Sequence, residues 1–295
     1  MNPFAKVLVF GKNGQLARSI AETFRGENIH FVSQKDLDLR LSGDIVPFVK
    51  AQQPTLVINA AAYTQVDLAE TEQVDAELIN VMAPQKMAMA CESLKIPLIH
   101  FSTDYVFDGT KSQPYVETDT PNPVNKYGET KLSGEKAVQK HCEKHLIFRV
   151  SWLYSEFGKN FFLTMLKLGK EKKQLRIVSD QIGAPTYARD VAEMLKNWSP
   201  ALFERWGVYH FTNDGFTNWH GFAEEIFKLA KQANVSLEIE ELLAIASADY
   251  KTPAARPLNS RLNMDKFIAG TGFNPAKWDA ALYRCFNSYK SFGMS

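Results

Sequence analysis

The first half of the chain alternates short apolar runs with longer amphipathic segments. Each short run has the length of a buried strand, and in each longer segment apolar residues recur at helical spacing. This alternation is typical of a parallel sheet covered by helices. It predicts strands at residues 6–10, 29–32, 56–59, 98–101 and 146–150, and its clearest helices are at residues 15–24, 76–94 and 126–140.

The alternation of short apolar runs and amphipathic segments ends after Arg149. Aromatic residues crowd positions 152–162, and irregular stretches that contain proline, such as residues 181–186, separate the later strands. We therefore predict an α/β fold in two parts. Residues 1–150 form a Rossmann-type, doubly wound parallel sheet that binds a dinucleotide. Residues 151–295 form mainly a smaller, interleaved α/β substrate-binding lobe, with segments that return to the first domain.

Composition narrows the range of partners. A chain of 295 residues, 45% of them hydrophobic, can bury one large core and a smaller lobe. The formal charge is +1, without a long run of one sign, so we expect small-molecule partners and neither nucleic acid nor a membrane. Cys91, Cys142 and Cys285 are far apart and lack metal-type spacing. Without a secretory signal pattern, the sequence predicts a cytoplasmic protein with no metal.

A glycine-rich turn follows the first strand. Gly11 and Gly14 allow the backbone to turn tightly, and Gln15 and Leu16 open the next helix. A pyrophosphate fits there, because free N–H groups and the positive helix end meet its charge. An ordinary strand-to-helix turn is the alternative. Ala17 stands where such motifs often have a third glycine, and its methyl group is compatible with close helix packing.

The ends of the second and third strands bear on the choice of cofactor. Ser33 and Lys35 offer a hydroxyl and a cation to a 2′-phosphate, which favours NADPH, although Lys35 as a solvated surface residue is equally consistent. Asp36 and Asp38 can serve a ribose or adenine, so NADH stays an alternative. The small residues of positions 59–64 let a flat ligand lie against the backbone, or serve helix packing.

Tyr127 and Lys131 are the candidate catalytic pair. They lie four residues apart on one helix face, so the ammonium can sit near the phenol and lower its pKa. Thr103, at the carboxyl end of the fourth strand, can donate to the same substrate carbonyl. A Tyr-Lys pair alone is more often a surface pair. A single mechanism explains why these features follow one another along the chain: first the glycine turn, then residues 59–64, then Thr103 and then this pair.

Taken together, these residues resemble the extended short-chain dehydrogenase/reductases and, more closely, the dTDP-4-dehydrorhamnose reductases. The resemblance covers nearly the whole chain and is most specific at residues 11–16, 59–64 with 66–67, 102–107, 127–131, 148–152, 180–186 and 256–262. It implies NADPH-dependent reduction of the 4-keto group of a nucleotide-linked deoxysugar. Tyr127 is then the proton donor, Lys131 its partner and cofactor anchor, and Thr103 the third catalytic residue.

The cofactor and the substrate are each expected to contact a defined set of residues. The cofactor residues are Gly11, Gly14, Gln15, Leu16, Ser33, Asp38, Leu39, Ala62, Tyr63, Thr64, Tyr127 and Lys131. By the resemblance, Asp104 and Trp152 contact the sugar together with Thr103. An indole suits the apolar side of a deoxysugar, with core filling as the alternative for Trp152. Arg256 can bind the nucleotide diphosphate through two parallel hydrogen bonds of its guanidinium, or it can lie on the protein surface.

The sequence departs from the family at two points. Some members form dimers around magnesium held by acidic side chains, but Ser19 and Arg189 occupy the matching positions and supply no carboxylate. We therefore expect a monomer or weak homodimer without a metal bridge. Ala17 at the third glycine position is the other departure, and it leaves the detailed cofactor fit open.

Two other functions compete with the reductase. One is a non-catalytic, NADP-binding regulatory subunit of another enzyme, against which the joint presence of Thr103, Tyr127 and Lys131 argues. The other is a nucleotide-sugar epimerase or dehydratase of the same fold. Such enzymes recycle their cofactor, so net consumption of NADPH separates them from a reductase.

Overall fold

The computed structural model describes residues 5–202 and 205–292. Within them, six parallel strands form one sheet in the order β10-β5-β4-β3-β1-β2. The remaining strands form three two-stranded sheets, β11-β8, β12-β7 and β6-β9. The strands are β1 Val7–Phe10, β2 Ile29–Val32, β3 Leu56–Asn59, β4 Leu98–Thr103, β5 His145–Val150, β6 Leu153–Tyr154, β7 Gln174–Val178, β8 Ile182–Gly183, β9 Thr186–Tyr187, β10 Gly207–His210, β11 Thr217–Asn218 and β12 Glu241–Ile245.

The predicted fold class is confirmed, because the five predicted strands all lie in the parallel sheet. Two differences matter for the site. The fourth strand runs on to Thr103 instead of ending at Phe101, since Ser102 and Thr103 pair with Arg149 and Val150 of the fifth strand. The sixth strand, β10, comes from the second half of the chain and pairs with β5 at the edge of the sheet.

Helices surround the sheet. They are α1 Gln15–Thr23, α2 Ile45–Gln52, α3 Gln73–Glu77, α4 Ala83–Leu94, α5 Lys126–His141, α6 Phe161–Glu171, α7 Ala188–Leu202, α8 Trp219–Gln232, α9 Asp265–Thr271 and α10 Trp278–Ser291, with short 3₁₀ turns at Ser42–Asp44, Leu68–Glu70, Asp104–Val106 and Ser247–Asp249. Across residues 5–202 and 205–292, none of these helices combines the length and apolar character that a membrane crossing requires.

The helix predicted at residues 76–94 has a break. A π-helical segment, Leu78–Met82, joins α3 to α4. There the Ala83 N–H bonds to the Leu78 carbonyl, five residues back, and Pro84, which has no N–H to donate, starts the next turn. The prediction of one regular helix was therefore wrong at this point, although the chain keeps its direction along the sheet.

Alternate residues of the strands fill two separate cores. Val7 and Val9 face α1, α7 and α9, whereas Leu8 and Phe10 face α2, α4 and α5. Both faces of the sheet are thus covered, as in a doubly wound fold. A third core, rich in aromatic side chains, joins α6, α8 and α10 in the lobe. The open carboxyl edge of the sheet lies between the large cores and this lobe.

Candidate active site

A cavity of about 910 Å³ lies at the carboxyl edge of the parallel sheet. Its walls come from the turn after β1, the ends of β2, β3 and β4, the start of α5 and the aromatic side chains of the lobe. Ligands bind at this edge in open α/β sheets. The cavity brings together most of the predicted site residues, namely Gly11, Gly14, Gln15, Leu16, Ser33, Asp38, Leu39, Ala62, Tyr63, Thr64, Thr103, Asp104, Tyr127, Lys131 and Trp152.

The glycine turn is shaped for close approach. Gly11 has φ +95°, and a Cβ atom there would lie 2.8 Å from the Ala61 nitrogen and 2.9 Å from the Ala60 carbonyl. The Gly14 N–H donates to the Gly11 carbonyl at 2.8 Å, and α1 begins at the next residue. The first N–H groups of α1 therefore lie at the lining of the cavity, where a helix N-terminus can bind an anion. Ala17 is fully buried in the core behind the turn.

Gln15 ties the glycine turn to the lobe, a link that the sequence did not predict. Its Nε2 donates to the Leu153 carbonyl at 3.0 Å, and its Oε1 accepts from Asn160 Nδ2 at 3.2 Å. Asn160 also caps α6 through the Leu163 N–H. The helix that would bind a pyrophosphate is thus held in a fixed position relative to the lobe.

Hydrogen bonds within the loop after β2 hold its two acidic side chains, Asp36 and Asp38. The Ser33 N–H and hydroxyl donate to the Asp36 carboxylate at 2.8 and 2.6 Å, which lowers the pKa of that group. Arg40 Nε donates to Asp38 Oδ1 at 3.0 Å, and hydrogen bonds from Arg40 lower the pKa of Asp38 to about 2. Arg40 lines the cavity, whereas Lys35 does not.

Lys131 is placed by α5. Asn125 caps this helix by accepting the Gly128 N–H at 2.8 Å, and one turn later the Lys131 side chain points inward, 2% exposed. Its Nζ donates to the Phe101 carbonyl at 2.7 Å. Burial lowers the pKa of Lys131 to about 8, and the negative charge of Glu135 opposes part of that shift.

Tyr127 lies beside Thr103, but its pKa is not lowered as the sequence suggested. Burial raises the pKa of the phenol well above 10, a hydrogen bond with Thr103 opposes the rise, and the Asp104 charge adds to it. The expected lowering of the Tyr127 pKa is therefore wrong, and desolvation of the phenol is the largest cause of the opposite shift.

Thr103 and Asp104 form a hydrogen-bonded pair at the end of β4. The Thr103 hydroxyl donates to Asp104 Oδ1 at 2.9 Å and accepts the Tyr105 N–H at 3.2 Å. Burial raises the pKa of Asp104 to about 7, although the hydroxyls of Ser260 and Thr103 favour the charged form. The second carboxyl oxygen, Oδ2, is buried and has no hydrogen-bond partner in the described part of the chain.

Two stacked indoles form the wall of the cavity on the lobe side. The rings of Trp152 and Trp219 are 3.6 Å apart at their centroids and 12° from parallel. Trp152 has φ +46°, and a Cβ atom on Gly183 would lie 2.6 Å from its ring. The Trp219 Nε1 donates to Gln181 Oε1 at 3.2 Å. Sequence analysis found Trp152 but missed Trp219, which starts the distant helix α8.

Arg256 is the predicted site residue that lies outside the lining of the cavity. Its guanidinium binds both oxygens of Asp67, at 2.6 and 2.8 Å, and its positive charge opposes the rise that burial causes in the pKa of the Tyr105 phenol. Tyr105 lines the cavity and packs edge-on against Tyr127. Arg256 therefore stands one side chain away from the reacting group.

Ser19 and Arg189 are the two positions at which the resemblance to the family implied metal ligands. Ser19 is fully buried in α1, and Arg189 donates to Glu156 at 2.9 Å. In the residues that the structure describes, no cluster of three or more His, Cys, Asp or Glu side chains is arranged to hold a metal ion.

Comparison with known proteins places the chain in a family. The family model described as "RmlD substrate binding domain" matches residues 5–291. The dTDP-4-dehydrorhamnose reductase of Escherichia coli K12 is 40% identical over 291 residues, which cover 95% of this chain and 97% of the relative. That of Shigella flexneri is 39% identical over 290 residues, with the same coverage.

Two solved structures are similar to this chain over almost its whole length. The dTDP-4-dehydrorhamnose reductase from Bacillus anthracis, in complex with NADP, superimposes with a TM-score of 0.90 at 33% identity, over 96% of this chain and 99% of that one. An orthologue from Clostridium acetobutylicum gives a TM-score of 0.89 at 33% identity, over 97% and 99% of the two chains.

Fold and comparisons together define an NAD(P)H-dependent reductase of the extended short-chain class. Within that class, the chain belongs to the dTDP-4-dehydrorhamnose reductase family. The predicted family and enzyme class are thus confirmed, and the predicted cofactor class agrees with the NADP bound by the Bacillus anthracis relative.

Proposed function

We propose that this chain reduces the 4-keto group of dTDP-4-dehydro-L-rhamnose, or of a closely related nucleotide sugar, in deoxysugar and cell-surface polysaccharide biosynthesis. The observation that carries the proposal is that Thr103, Tyr127 and Lys131 line one cavity together with the glycine turn. The names of the relatives supply the substrate. We further propose that the protein works in the cytoplasm as a monomer or weak homodimer.

The cavity fits a dinucleotide. A Cβ atom at Gly11 would collide with the backbone of Ala60 and Ala61, so glycine lets the turn pack against that backbone and bring the N-terminus of α1 to the cavity, where it can meet a pyrophosphate. Ser33, Asp38, Leu39 and Arg40 line the end that would hold the adenosine, and Arg40 supplies the cation for a 2′-phosphate. When bound, NADPH supplies the hydride that adds to C4 of the sugar.

Tyr127 donates the proton. As negative charge develops on the carbonyl oxygen, a protonated phenol at hydrogen-bonding distance neutralises it. The burial that raises the pKa of Tyr127 keeps the phenol protonated across the neutral range. Lys131, which lines the cavity and is charged below its pKa of about 8, would be the residue that holds the ribose of the bound cofactor.

The remaining residues position the sugar. The stacked indoles of Trp152 and Trp219 offer an apolar face to the deoxy side of the ring, and Asp104 lies beside the reacting group. Arg256 lies outside the lining of the cavity, where it binds both oxygens of Asp67. The lobe thus orients the sugar, while the reacting side chains come from the end of β4 and from α5.

The direct test is turnover with analysis of the product. Purified protein is incubated with dTDP-4-dehydro-L-rhamnose and either NADPH or NADH, while cofactor absorbance is recorded. We expect stoichiometric oxidation of NADPH and formation of the 4-hydroxy sugar. Cofactor binding without turnover would favour the regulatory subunit instead, and a changed sugar without net cofactor consumption would favour an epimerase or dehydratase.

A further inference from the structure

We propose that Asn125 is a positioning residue, which sets the place of the two sugar-binding indoles relative to the proton donor Tyr127. The inference rests on the proposed function, because it concerns how the sugar meets that donor. It starts from a buried side chain, 4% exposed, that bonds to two distant parts of the chain at once. One is the N-terminus of α5, and the other is a segment that we call the strap, residues 254–260.

The amide of Asn125 uses both of its ends. Its Oδ1 accepts the Gly128 N–H at 2.8 Å and so caps α5 in the turn that carries Tyr127. Its Nδ2 donates to the Ala255 carbonyl of the strap, also at 2.8 Å. The two partners fix the orientation of the amide, because an N–H needs an acceptor and a carbonyl needs a donor. One side chain thus joins the start of α5 to the start of the strap.

The strap is held firmly beside this bond. Asp67 accepts the Ala254 N–H at 3.1 Å and binds Arg256 with both of its carboxylate oxygens. The ring of Pro257 restricts φ, and Gly109 lies so close that a Cβ atom on it would be 2.6 Å from the Pro257 Cβ. A short segment that is fixed at these points passes a displacement of one end to the other.

The other end of the strap holds the strand beneath Trp152. The Ile182 N–H donates to the Leu258 carbonyl at 2.8 Å, and the Ile182 carbonyl accepts the Ser260 N–H at 2.7 Å. Gly183, the next residue of β8, packs against the Trp152 ring. Trp152 therefore rests on a strand whose position the strap determines.

Trp219 is attached to the same strand. β8 pairs with β11, where Ile182 lies opposite Asn218. Asn218 caps the N-terminus of α8, and Trp219 is the first residue of that helix. Both indoles are thus positioned through β8, and the strap links β8 to α5. The bond from Asn125 Nδ2 completes that link.

This link matters because proton transfer needs the C4 carbonyl of the sugar at hydrogen-bonding distance from the Tyr127 phenol. The sugar packs on the indoles, whereas the phenol comes from α5. The separation of these two elements therefore decides how well the bound carbonyl meets its donor. Without the bond to Ala255, α5 keeps its cap, but the strap and β8 are no longer tied to it.

Asn125→Asp breaks the link and keeps the cap. A carboxylate at this position still accepts the Gly128 N–H, but it has no proton to donate to the Ala255 carbonyl. We expect kcat/KM for the nucleotide sugar to fall about 2- to 12-fold, the effect of one lost hydrogen bond, and the Kd for NADPH to stay as in the wild type. Asn125→Ser, which also caps a helix but adds no charge, should behave alike. A loss in Asn125→Asp alone would assign the effect to the added charge and overturn the proposal.

A double-variant cycle separates positioning from general damage. Trp219→Leu removes one of the two indoles, so a residue that acts through them should matter little once they are disrupted. The kcat/KM of Asn125→Asp/Trp219→Leu should lie within about twofold of the less active single variant. A merely structural role predicts that the two losses multiply, and that result would contradict the proposal.

Fluorine NMR without substrate separates this inference from the proposed function. The protein is labelled with 5-fluorotryptophan, and Trp→Phe variants assign the resonances. Asn125→Asp should shift the resonances of Trp152 and Trp219 but leave that of Trp206, which packs against the core of the sheet. If the indole resonances shift but the wild type does not reduce dTDP-4-dehydro-L-rhamnose, the proposed substrate fails and the positioning role stands. If the sugar is reduced and neither indole resonance shifts, the positioning role fails alone.

Discussion

Trp152 and Trp219 stack with their ring centroids 3.6 Å apart, and the backbone of Trp152 adopts a left-handed conformation to make that contact. An L-residue with a bulky side chain rarely adopts such a φ unless the surroundings enforce it. The ring of Trp152 also fills the space left by the missing side chain of Gly183. The two indoles therefore form one rigid wall of the cavity.

This wall should govern the affinity for the sugar. Trp219→Leu removes the partner of Trp152, and a lost aromatic pair of about 1–1.5 kcal/mol predicts a KM for the nucleotide sugar that rises about 5- to 12-fold. The Kd for NADPH should stay as in the wild type. Trp206→Leu is the control, because Trp206 packs against the core of the sheet. An equal rise of KM in both variants would speak against a specific role of the wall.

Tyr127→Phe tests the proton donor. It removes the phenol oxygen while keeping the ring, so turnover should fall by about two to four orders of magnitude. Cofactor affinity, measured by fluorescence titration with NADPH, should stay nearly intact. Tyr105→Phe, which alters the phenol packed edge-on against Tyr127, should cost about tenfold or less. Near-normal turnover of Tyr127→Phe would remove this residue from its assigned role.

Arg40 should set the preference for NADPH. It lines the end of the cavity that would hold the adenosine, where it pairs with Asp38. Loss of a charge-assisted bond of about 1.5–3 kcal/mol predicts that Arg40→Leu lowers kcat/KM for NADPH about 10- to 100-fold and changes the value for NADH little. Lys35→Leu serves as the comparison, since Lys35 lies outside the lining. If Lys35→Leu lowered kcat/KM for NADPH and Arg40→Leu did not, Lys35 would be the residue that sets the cofactor preference.

The buried carboxyl of Asp104 should make the free energy of unfolding depend on pH. Its pKa is raised from 3.8 in the unfolded chain to about 7, so the folded protein keeps a proton that the unfolded chain loses. The free energy of unfolding therefore falls as the pH rises from about 4 to about 7, by as much as about 4 kcal/mol from this group. Urea unfolding of the wild type and Asp104→Asn should diverge across that range. Parallel curves would contradict the raised pKa.

The sequence predicted best those features that depend on near neighbours. The turn after the first strand follows from Gly11 and Gly14, and the shared helix face of Tyr127 and Lys131 follows from a spacing of four. Both are fixed by a few adjacent residues. The order of the strands in the first half then brings them to one edge of the sheet, since parallel strands end together.

Features that depend on distant contacts escaped prediction. Trp219 lines the cavity because α8, far along the chain, packs with α6 and α10 in the lobe, and Arg40 lines it from the loop after β2. A basic residue two positions after Asp38 was the one local signal for Arg40. The raised pKa of Tyr127 was missed because burial, its largest cause, cannot be inferred from the spacing of two residues.

Transfer of isotope from cofactor to sugar tests the central claim most directly. The protein is supplied with dTDP-4-dehydro-L-rhamnose and with NADPH that carries deuterium at the transferable C4 position of nicotinamide, and the product is examined by NMR. The account predicts deuterium at C4 of the sugar, one atom for each NADPH oxidised, in the wild type and at a greatly reduced rate in Tyr127→Phe. Deuterium retained in the cofactor, or found at another carbon of the sugar, would contradict it.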